Sequence, residues 1–336
     1  GEKLEVTWSS APDVGQKRHV EVRYRVVDPV TGMLFSWPDD AYPDRPKLAV
    51  TDHETERARY WLPCIDHPEV RTTLAFHIRT SEAFTALANG EQEGEEVHGD
   101  GTKTVHWALS ETCPSYLVCI AVGELVRADL GRHEGKEVAF FAPRGTETQD
   151  LVRNFGVTTE MLDWMVGKLG VPFPYPKYFQ FAAPGVGGAM ENVSLVSWDG
   201  FFLFDAGAHE EKGFLLDLVN VHEMAHSYFG DLLTCRDFSE VWLKESWATY
   251  IESVWVEDRY GADELQAQLH SEENEYRDEA DGSYQRPIVT RTMDSSWSMF
   301  DRHLYPGGAL RLHMLRRRLG DRAFWAAVRD YLSTYA

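Results

Sequence analysis

Residues 221–252 read VHEMAHSYFGDLLTCRDFSEVWLKESWATYIE, and the rest of the chain is best understood as scaffolding for them. The stretch opens with His222-Glu223-Met224-Ala225-His226, an HExxH motif. On a helix, residues four apart share one face. His222 and His226 therefore offer two imidazoles to one ion, at about 2.0–2.1 Å for zinc. Glu223 borders the same point without having to ligate, which is where a general base for a metal-bound water sits. A catalytic zinc needs a third protein ligand, with the fourth position left to water. Trp242-Leu243-Lys244-Glu245-Ser246-Trp247-Ala248 lies in a second helical pattern, and Glu245 follows His226 by 19 residues. A turn through Gly230-Asp231 to Cys235-Arg236-Asp237 lets this helix fold back beside the first, so that Glu245 completes a His, His, Glu set. Glu252 comes 7 residues after Glu245, two turns along and on the same face. It is a candidate acceptor for the free N–H of a ligand histidine. Zinc rather than another divalent ion is an expectation from ligand type.

The chain has 336 residues and a formal charge of −21, with 43% apolar residues. That length suits about two domains, with a real hydrophobic core. So acidic a protein argues against nucleic acid and against an anionic membrane as partners. The four cysteines, Cys64, Cys113, Cys119 and Cys235, form no CxxC and no dense framework, which fits a reducing compartment. No apolar run reaches the ~20 residues of a membrane span, and Gly1-Glu2-Lys3-Leu4 opens no signal-peptide core. A cytoplasmic monomer is the expectation.

Residues 1–144 have the signature of a β domain, sandwich-like or saddle-like. Val20, Val22, Tyr24 and Val26 alternate with polar neighbours, a period-two pattern for a half-buried strand. Short strands are expected again at 73–78, 104–109 and 116–122, separated by turn signals such as Asn89-Gly90 and Gly99-Asp100-Gly101. The charge run Glu91–Glu96 fits a solvated hairpin tip. The polar stretch Thr51–Glu56 carries no function from spacing alone. From residue 145 the pattern changes. Leu151, Phe155, Leu162, Met165, Val166 and Leu169 mark one helical face, with Thr146 or Thr148 as N-cap and Gly170 as stop. Gly187-Gly188 then leads into a strand through Ala189-Met190-Glu191-Asn192, where glycine permits close backbone approach and an extended substrate can pair with the edge. A tight turn before an edge strand explains the same residues equally well. Helices are expected at 213–233, 238–260, 262–278, 309–319 and 321–335, with the acidic run 271–281 as solvated helix and loop. The fold class is thus a β domain followed by a mostly helical α/β domain over 145–336.

GAMEN at 188–192, HEMAH at 222–226 and WLKESWA at 242–248, in that order, resemble the aminopeptidase N family of zinc metallopeptidases (gluzincins), which also includes leukotriene hydrolases. The likeness runs nearly end to end: DHETERARYWLPCIDHP is similar to the family's N-terminal stretch, and LYPGGALRLHMLRRRLGD to its tyrosine-containing segment and the helix after it. The resemblance implies a thermolysin-like catalytic domain and one zinc per chain on His222, His226 and Glu245. It implies Glu223 as general base, Glu191 as anchor for the substrate's α-ammonium and Glu54 as its helper from the β domain. Tyr305 matches the tyrosine that stabilises the oxyanion; without the resemblance, Tyr250 and Tyr284 are equal candidates. Gly188, Ala189, Met190 and Asn192 are placed in the strand that holds substrate, with Met190 lining the first side-chain pocket.

The implied reaction is removal of one N-terminal residue from a peptide with a free amine. Rival readings are a thermolysin-like endopeptidase, an epoxide hydrolase of the leukotriene kind, and a non-catalytic zinc-binding scaffold. GAMEN and Glu54 speak against the endopeptidase, which has no α-ammonium to bind. The sequence departs from the family's pattern in three places. The family lysine two residues after the tyrosine is Gly307, the β domain is short at its start, and the chain stops where the family continues with further helices.

Overall fold

The computed structural model describes residues 3–336. Nine strands come first: β1 (Met33–Ser36), β2 (Leu48–Thr51), β3 (Arg71–Ser81), β4 (Thr85–Ala88), β5 (Glu91–His98), β6 (Thr102–Pro114), β7 (Ile120–Gly123), β8 (Leu125–His133) and β9 (Lys136–Pro143). Helices α1 (Thr148–Phe155) and α2 (Thr158–Leu169) follow, then β10 (Lys177–Ala183), β11 (Ala189–Met190) and β12 (Leu195–Asp199). The remainder is helical: α3 (Ala206–His226), α4 (Trp242–Tyr260), α5 (Ala262–Gly282), α6 (Tyr305–Leu319) and α7 (Asp321–Tyr335). The β-rich half before a mostly helical half is the architecture expected. None of the described helices is long and apolar enough to cross a membrane.

The strands form three sheets, ordered β1-β2-β7-β4, β3-β6-β5 and β11-β12-β10-β9-β8. The first two are antiparallel throughout. In the third, β10 runs parallel to both β9 and β12. This sheet is continuous across the expected division at 144/145, because β8 and β9 precede it and β10 to β12 follow it. Its inner strands β9 and β10 are buried on both faces. Val138, Phe140 and Ala142 of β9 join the core under the helices, while Ala139 and Phe141 join the core under the β-rich half. In β10, Tyr178 and Ala182 face one core and Phe179, Phe181 and Ala183 the other. Such a strand loses the alternation of a half-exposed one, so KYFQFAA gave no period-two signal.

Polar ties hold the β-rich half against this wall. Asn89 donates to the carbonyls of Leu117 (3.0 Å) and Val193 (2.7 Å) and accepts from the Cys119 amide. The buried Lys177 ammonium donates to the Ala88 carbonyl and the Ser194 hydroxyl. Arg71 reaches the carbonyls of Asp231 and Leu232, in the loop between α3 and α4.

Several expectations need correction. Residues 19–27 form no strand: Val20, Val22 and Tyr24 are exposed, and no described strand pairs with them. An alternating run becomes a strand only when a neighbour supplies the ladder. Glu91–Glu96 is not a tip but lies in edge strand β5, paired to β6, with the turn at Asp100-Gly101. Residues 116–122 divide into a short helical turn, Ser115–Leu117, and β7. The first helix is broken at Gly156-Val157, and its N-cap is Glu147, which makes no side-chain cap bond. Gly170, at φ +68°, stops α2 as expected. Helix α3 begins earlier than expected because Asp205 caps it, accepting from the Ala208 amide at 2.8 Å. It ends at His226 rather than 233, before the turn through Gly230. The acidic run 271–281 is helical throughout, and Glu272 within it is buried against Ser253.

Helix α6 crosses α4 at a glycine. A Cβ on Gly308 would stand 1.8 Å from Ser246 Oγ and 2.4 Å from its Cβ, too close for any side chain. Gly308→Ala should destabilise the protein by about 1–3 kcal/mol through overpacking. Gly167, exposed in the last turn of α2 with no atom near its Cβ direction, should respond oppositely, with alanine adding up to about 1 kcal/mol. Denaturant titration of the two variants reads both signs.

Candidate active site

The HExxH motif occupies the last turn of α3, and α4 packs against that helix. The return of the chain between them depends on Gly230, at φ +136°. A Cβ there would sit 3.3 Å from both His226 Nδ1 and Lys244 Cβ, in a backbone region open mainly to glycine. The Phe229 and Trp247 rings stack at 4.6 Å between centroids and help hold α4 down.

His222 Nε2 and His226 Nε2 lie 3.2 and 3.3 Å from Glu245 Oε2, and the donor atoms of the three residues fall within 4.8 Å of one another. The opposite ring nitrogens are engaged elsewhere. His222 Nδ1 is 2.6 Å from Glu252 Oε1, and His226 Nδ1 is 2.9 Å from the Phe229 carbonyl. A carbonyl only accepts, so His226 Nδ1 carries the proton and Nε2 presents its lone pair; Glu252 sets the same tautomer on His222. Two imidazole nitrogens and one carboxylate oxygen converging in a buried pocket are the donor set of a three-ligand zinc site with one open position. The residues fit the metal that the sequence implies.

Glu54 arrives from the other half of the chain. It follows β2, whose last residue, Thr51, accepts from the Ile120 amide at 3.0 Å. Arg57 pairs with Asp52 at 2.8 Å and donates to the Glu54 carbonyl, folding the loop upon itself. Glu191 follows edge strand β11. Lys244, on α4 next to Glu245, lies among them. Its Nζ is 2.5 Å from Oε1 of Glu54, of Glu191 and of Glu245. The contacts to Glu191 and Glu245 are aligned hydrogen bonds, whereas Glu54 Oε1 meets the ammonium as a charge contact outside that alignment. Glu245 therefore divides its oxygens, Oε2 toward the histidines and Oε1 toward the lysine.

The electrostatics follow from burial and this one cation. Burial raises Glu54 to about 8; Lys244 pulls it down, and Glu191 and Glu245 push it up. Burial likewise raises Glu223 to about 8, with His222 opposing and Glu191 and Glu245 adding. Burial also works against ionised Glu191, but Lys244 and His226 outweigh it and hold that carboxyl below its usual range. Lys244 overcomes its own desolvation through Glu191, Glu245 and Glu54 and stays well above the ordinary lysine range. Glu223 Oε2 is buried and has no hydrogen-bond partner among the described residues, so it is a free acceptor beside the donor set.

Tyr305 begins α6, and its position is fixed from α4: Ser246 donates to the Leu304 carbonyl at 2.7 Å. The Tyr305 ring lies 6.1 Å from that of His222. Burial, then Glu245, keep its hydroxyl protonated well beyond the usual phenol range. A cavity of about 1010 Å³ opens beside it, walled also by Arg286, Trp297 and Phe300. Gly307 is packed too: a Cβ there would be 2.8 Å from the Tyr276 ring. Tyr250 instead contacts His313 and Arg316, and Tyr284 contacts Asp301.

Strand β11 pairs with β12 along one side only, Ala189 opposite Trp198 and Met190 opposite Ser197. Its other side is an edge of the sheet. The turn before it is pinned by Asp199, which accepts from the amides of Gly185 and Gly187, and by the Asp199 amide donating to the Gly188 carbonyl at 2.7 Å. Met190 is packed in the core under the helices. Asn192 is wholly buried and donates within its own hairpin, to Met190 O and Ser197 Oγ.

The structure thus brings His222, His226, Glu245, Glu223, Glu54, Glu191 and Tyr305 into one cluster, with Glu252 behind His222 and β11 leading directly into Glu191. Sequence reasoning gave Lys244 no role. Its signal was a lysine directly before a ligand glutamate in an otherwise apolar and aromatic helix.

Comparison with known proteins agrees. The Peptidase family M1 domain matches residues 153–336, and the Peptidase M1 N-terminal domain matches residues 1–117. The puromycin-sensitive aminopeptidase of Caenorhabditis elegans is 30% identical over 263 residues, covering 76% of this chain and 28% of that protein. Aminopeptidase N of Lactococcus lactis subsp. lactis is 27% identical over 328 residues, 94% of this chain and 38% of that one. The chain therefore spans about a third of the length of these relatives. Among solved structures, an M1 zinc metallopeptidase from Deinococcus radiodurans superposes with a TM-score of 0.71 at 26% identity, over 86% of this chain and 62% of that one. With its catalytic-domain match running over more than half of its length, the chain belongs to peptidase family M1.

Proposed function

We propose that this protein is a zinc-dependent aminopeptidase that removes the N-terminal residue from peptides. One observation carries the reading: the His222, His226, Glu245 donor set and the two buried carboxylates Glu54 and Glu191 share one pocket. The first is a hydrolytic metal site. The second is a recognition site for a positive amine held at a fixed distance from it. The relatives' names support the same activity.

His222, His226 and Glu245 hold the metal. When bound, zinc supplies Lewis acidity, polarising a carbonyl and acidifying water. Glu223 takes the proton from the attacking water and passes it to the leaving amine; its unpartnered buried oxygen suits that task. Tyr305 donates to the developing oxyanion. Glu191, assisted by Glu54, binds the α-ammonium and thereby rejects blocked and internal peptide bonds, because a buried charge left unpaired is costly. The free edge of β11 at Gly188-Ala189 pairs with the substrate backbone, and Met190 borders its first side chain. Asn192 acts through the hairpin it holds together.

The reading is tested with a leucyl fluorogenic amide and its N-acetyl form, with zinc supplied. Only the free amine should be cleaved, and a chelator should abolish the reaction. Cleavage of both forms would indicate an endopeptidase-like cleft, and cleavage of neither by the zinc-loaded protein a non-catalytic member. Glu223→Ala should retain zinc while its turnover falls about 10²–10⁴-fold, the usual contribution of a general base. Glu252→Ala should keep the fold but weaken zinc binding about 10–100-fold, measured by competition with a chromophoric chelator.

A further inference from the structure

Lys244 is not explained by the reaction just described. Its side chain is fully buried, and its ammonium sits in a built box. Glu54, Glu191 and Glu245 each place an oxygen 2.5 Å from Nζ, and the rings of Tyr116 and Phe300 lie 5.6 and 5.5 Å away. Carboxylates with aromatic faces are the surroundings that recognise an ammonium ion. Two of these carboxylates are the groups assigned above to the substrate's amine.

We infer that Lys244 sets the amine selectivity of this site: its Nζ fills the seat between Glu54 and Glu191 that a peptide's α-ammonium needs, so the two cations compete for one set of carboxylates. The inference rests on the aminopeptidase reading. Three observations carry it. The same Oε1 atoms of Glu54 and Glu191 face Nζ, so a second ammonium bridging those two residues would lie within a few ångströms of the first and be repelled by it. Glu54 is the least firmly aligned of the three, since its Oε1 lies 2.5 Å from Nζ outside the hydrogen-bond alignment that Glu191 and Glu245 have; it is the acceptor an incoming amine meets. Finally, Lys244 is adjacent to a metal-ligand candidate on the fully packed side of α4, so its stem is fixed and the ammonium is delivered to one place. The lysine is equally unavailable to an acidic substrate side chain, since its protons already meet the chain's own carboxylates.

The test reads binding and needs no turnover. L-leucinamide and N-acetyl-L-leucinamide are titrated calorimetrically into the zinc-loaded 336-residue chain and into its Lys244→Ala and Lys244→Gln variants. Removing one of two like charges about 4 Å apart should tighten leucinamide by about tenfold or more in both variants and leave the acetylated compound unchanged. Propylammonium, which replaces the atoms that alanine lacks, should compete with leucinamide in Lys244→Ala and raise its melting temperature, while doing neither in the wild type. Leucinamide binding that weakens or stays constant in the variants would overturn the inference and leave Lys244 as a tie that positions Glu54 and Glu191. The glutamine variant keeps most of the stem and decides the matter if alanine does not fold. If no form of the protein hydrolyses a peptide, the proposed activity fails, and these affinities still decide the role of the lysine.

Discussion

One buried ammonium joins three carboxylates drawn from three distant parts of the chain. Glu54 comes from the loop after β2, Glu191 from the end of β11 and Glu245 from α4, and Lys244 Nζ touches all three. Buried alone, each carboxylate would carry a desolvation penalty of several kcal/mol. Together around one cation they are tolerable only in this arrangement. The contact thus works as a registration device: the β-rich half, the edge hairpin and the helical pair must all be seated before the charges are matched. Removing the cation leaves buried charge without a partner, whereas the same ion pair adds little net stability compared with an apolar core.

The third sheet makes that registration possible. Strands β9 and β10 are apolar on both faces and serve as a wall common to two cores. Hydrophobic packing is non-directional and does not by itself set the angle between the halves. Directional bonds do so here. Asn89 reaches Val193, and Lys177 reaches Ala88 and Ser194, tying the far side of the wall to the hairpin that carries Glu191. Arg71 does the same for the loop between α3 and α4. On the helical side, the close crossing at Gly308 and the bond from Ser246 to Leu304 set Tyr305 relative to Glu245. Glu191, Glu245 and Tyr305 are therefore each located by a constraint one or two residues away in sequence.

How much of this was legible in the sequence depended on range. The two histidines and Glu223 are local, fixed by the helical period alone, and α3 holds them as the motif requires. Glu245 and Glu252 needed only the assumption that α4 returns beside α3, and Gly230 gives the physical reason that it does. Glu54, Glu191 and Tyr305 were legible through family resemblance, because no periodicity connects residues so far apart. Strand β10 was invisible to period-two reasoning because both of its faces are buried. The run at 20–26 had the pattern of a strand without the partner that would make it one. Lys244 was overlooked because a lysine in a helix is ordinarily solvated, and only the tertiary structure shows that it has no route to water.

The pocket remains short of positive charge even with Lys244 in place. Glu54 and Glu223 are both raised to about 8, chiefly by burial. Between the ordinary carboxyl value of 4.5 and about 8, the folded chain binds more protons at these positions than the unfolded chain does. Stability falls as pH rises through that window, and the cost is complete above it. Protons are the default means of relieving the imbalance at neutral pH. A dication at the histidine and glutamate donors, or an ammonium at Glu54, relieves the same imbalance by a different route, so binding of either favours loss of these protons. Glu54 and Glu223, the two carboxyls that burial raises furthest against their partners, are where this imbalance is most acute. A site that binds cations and moves protons requires acceptors the folded chain has not satisfied by itself, and the stability given up at these two carboxylates is the physical condition for that chemistry.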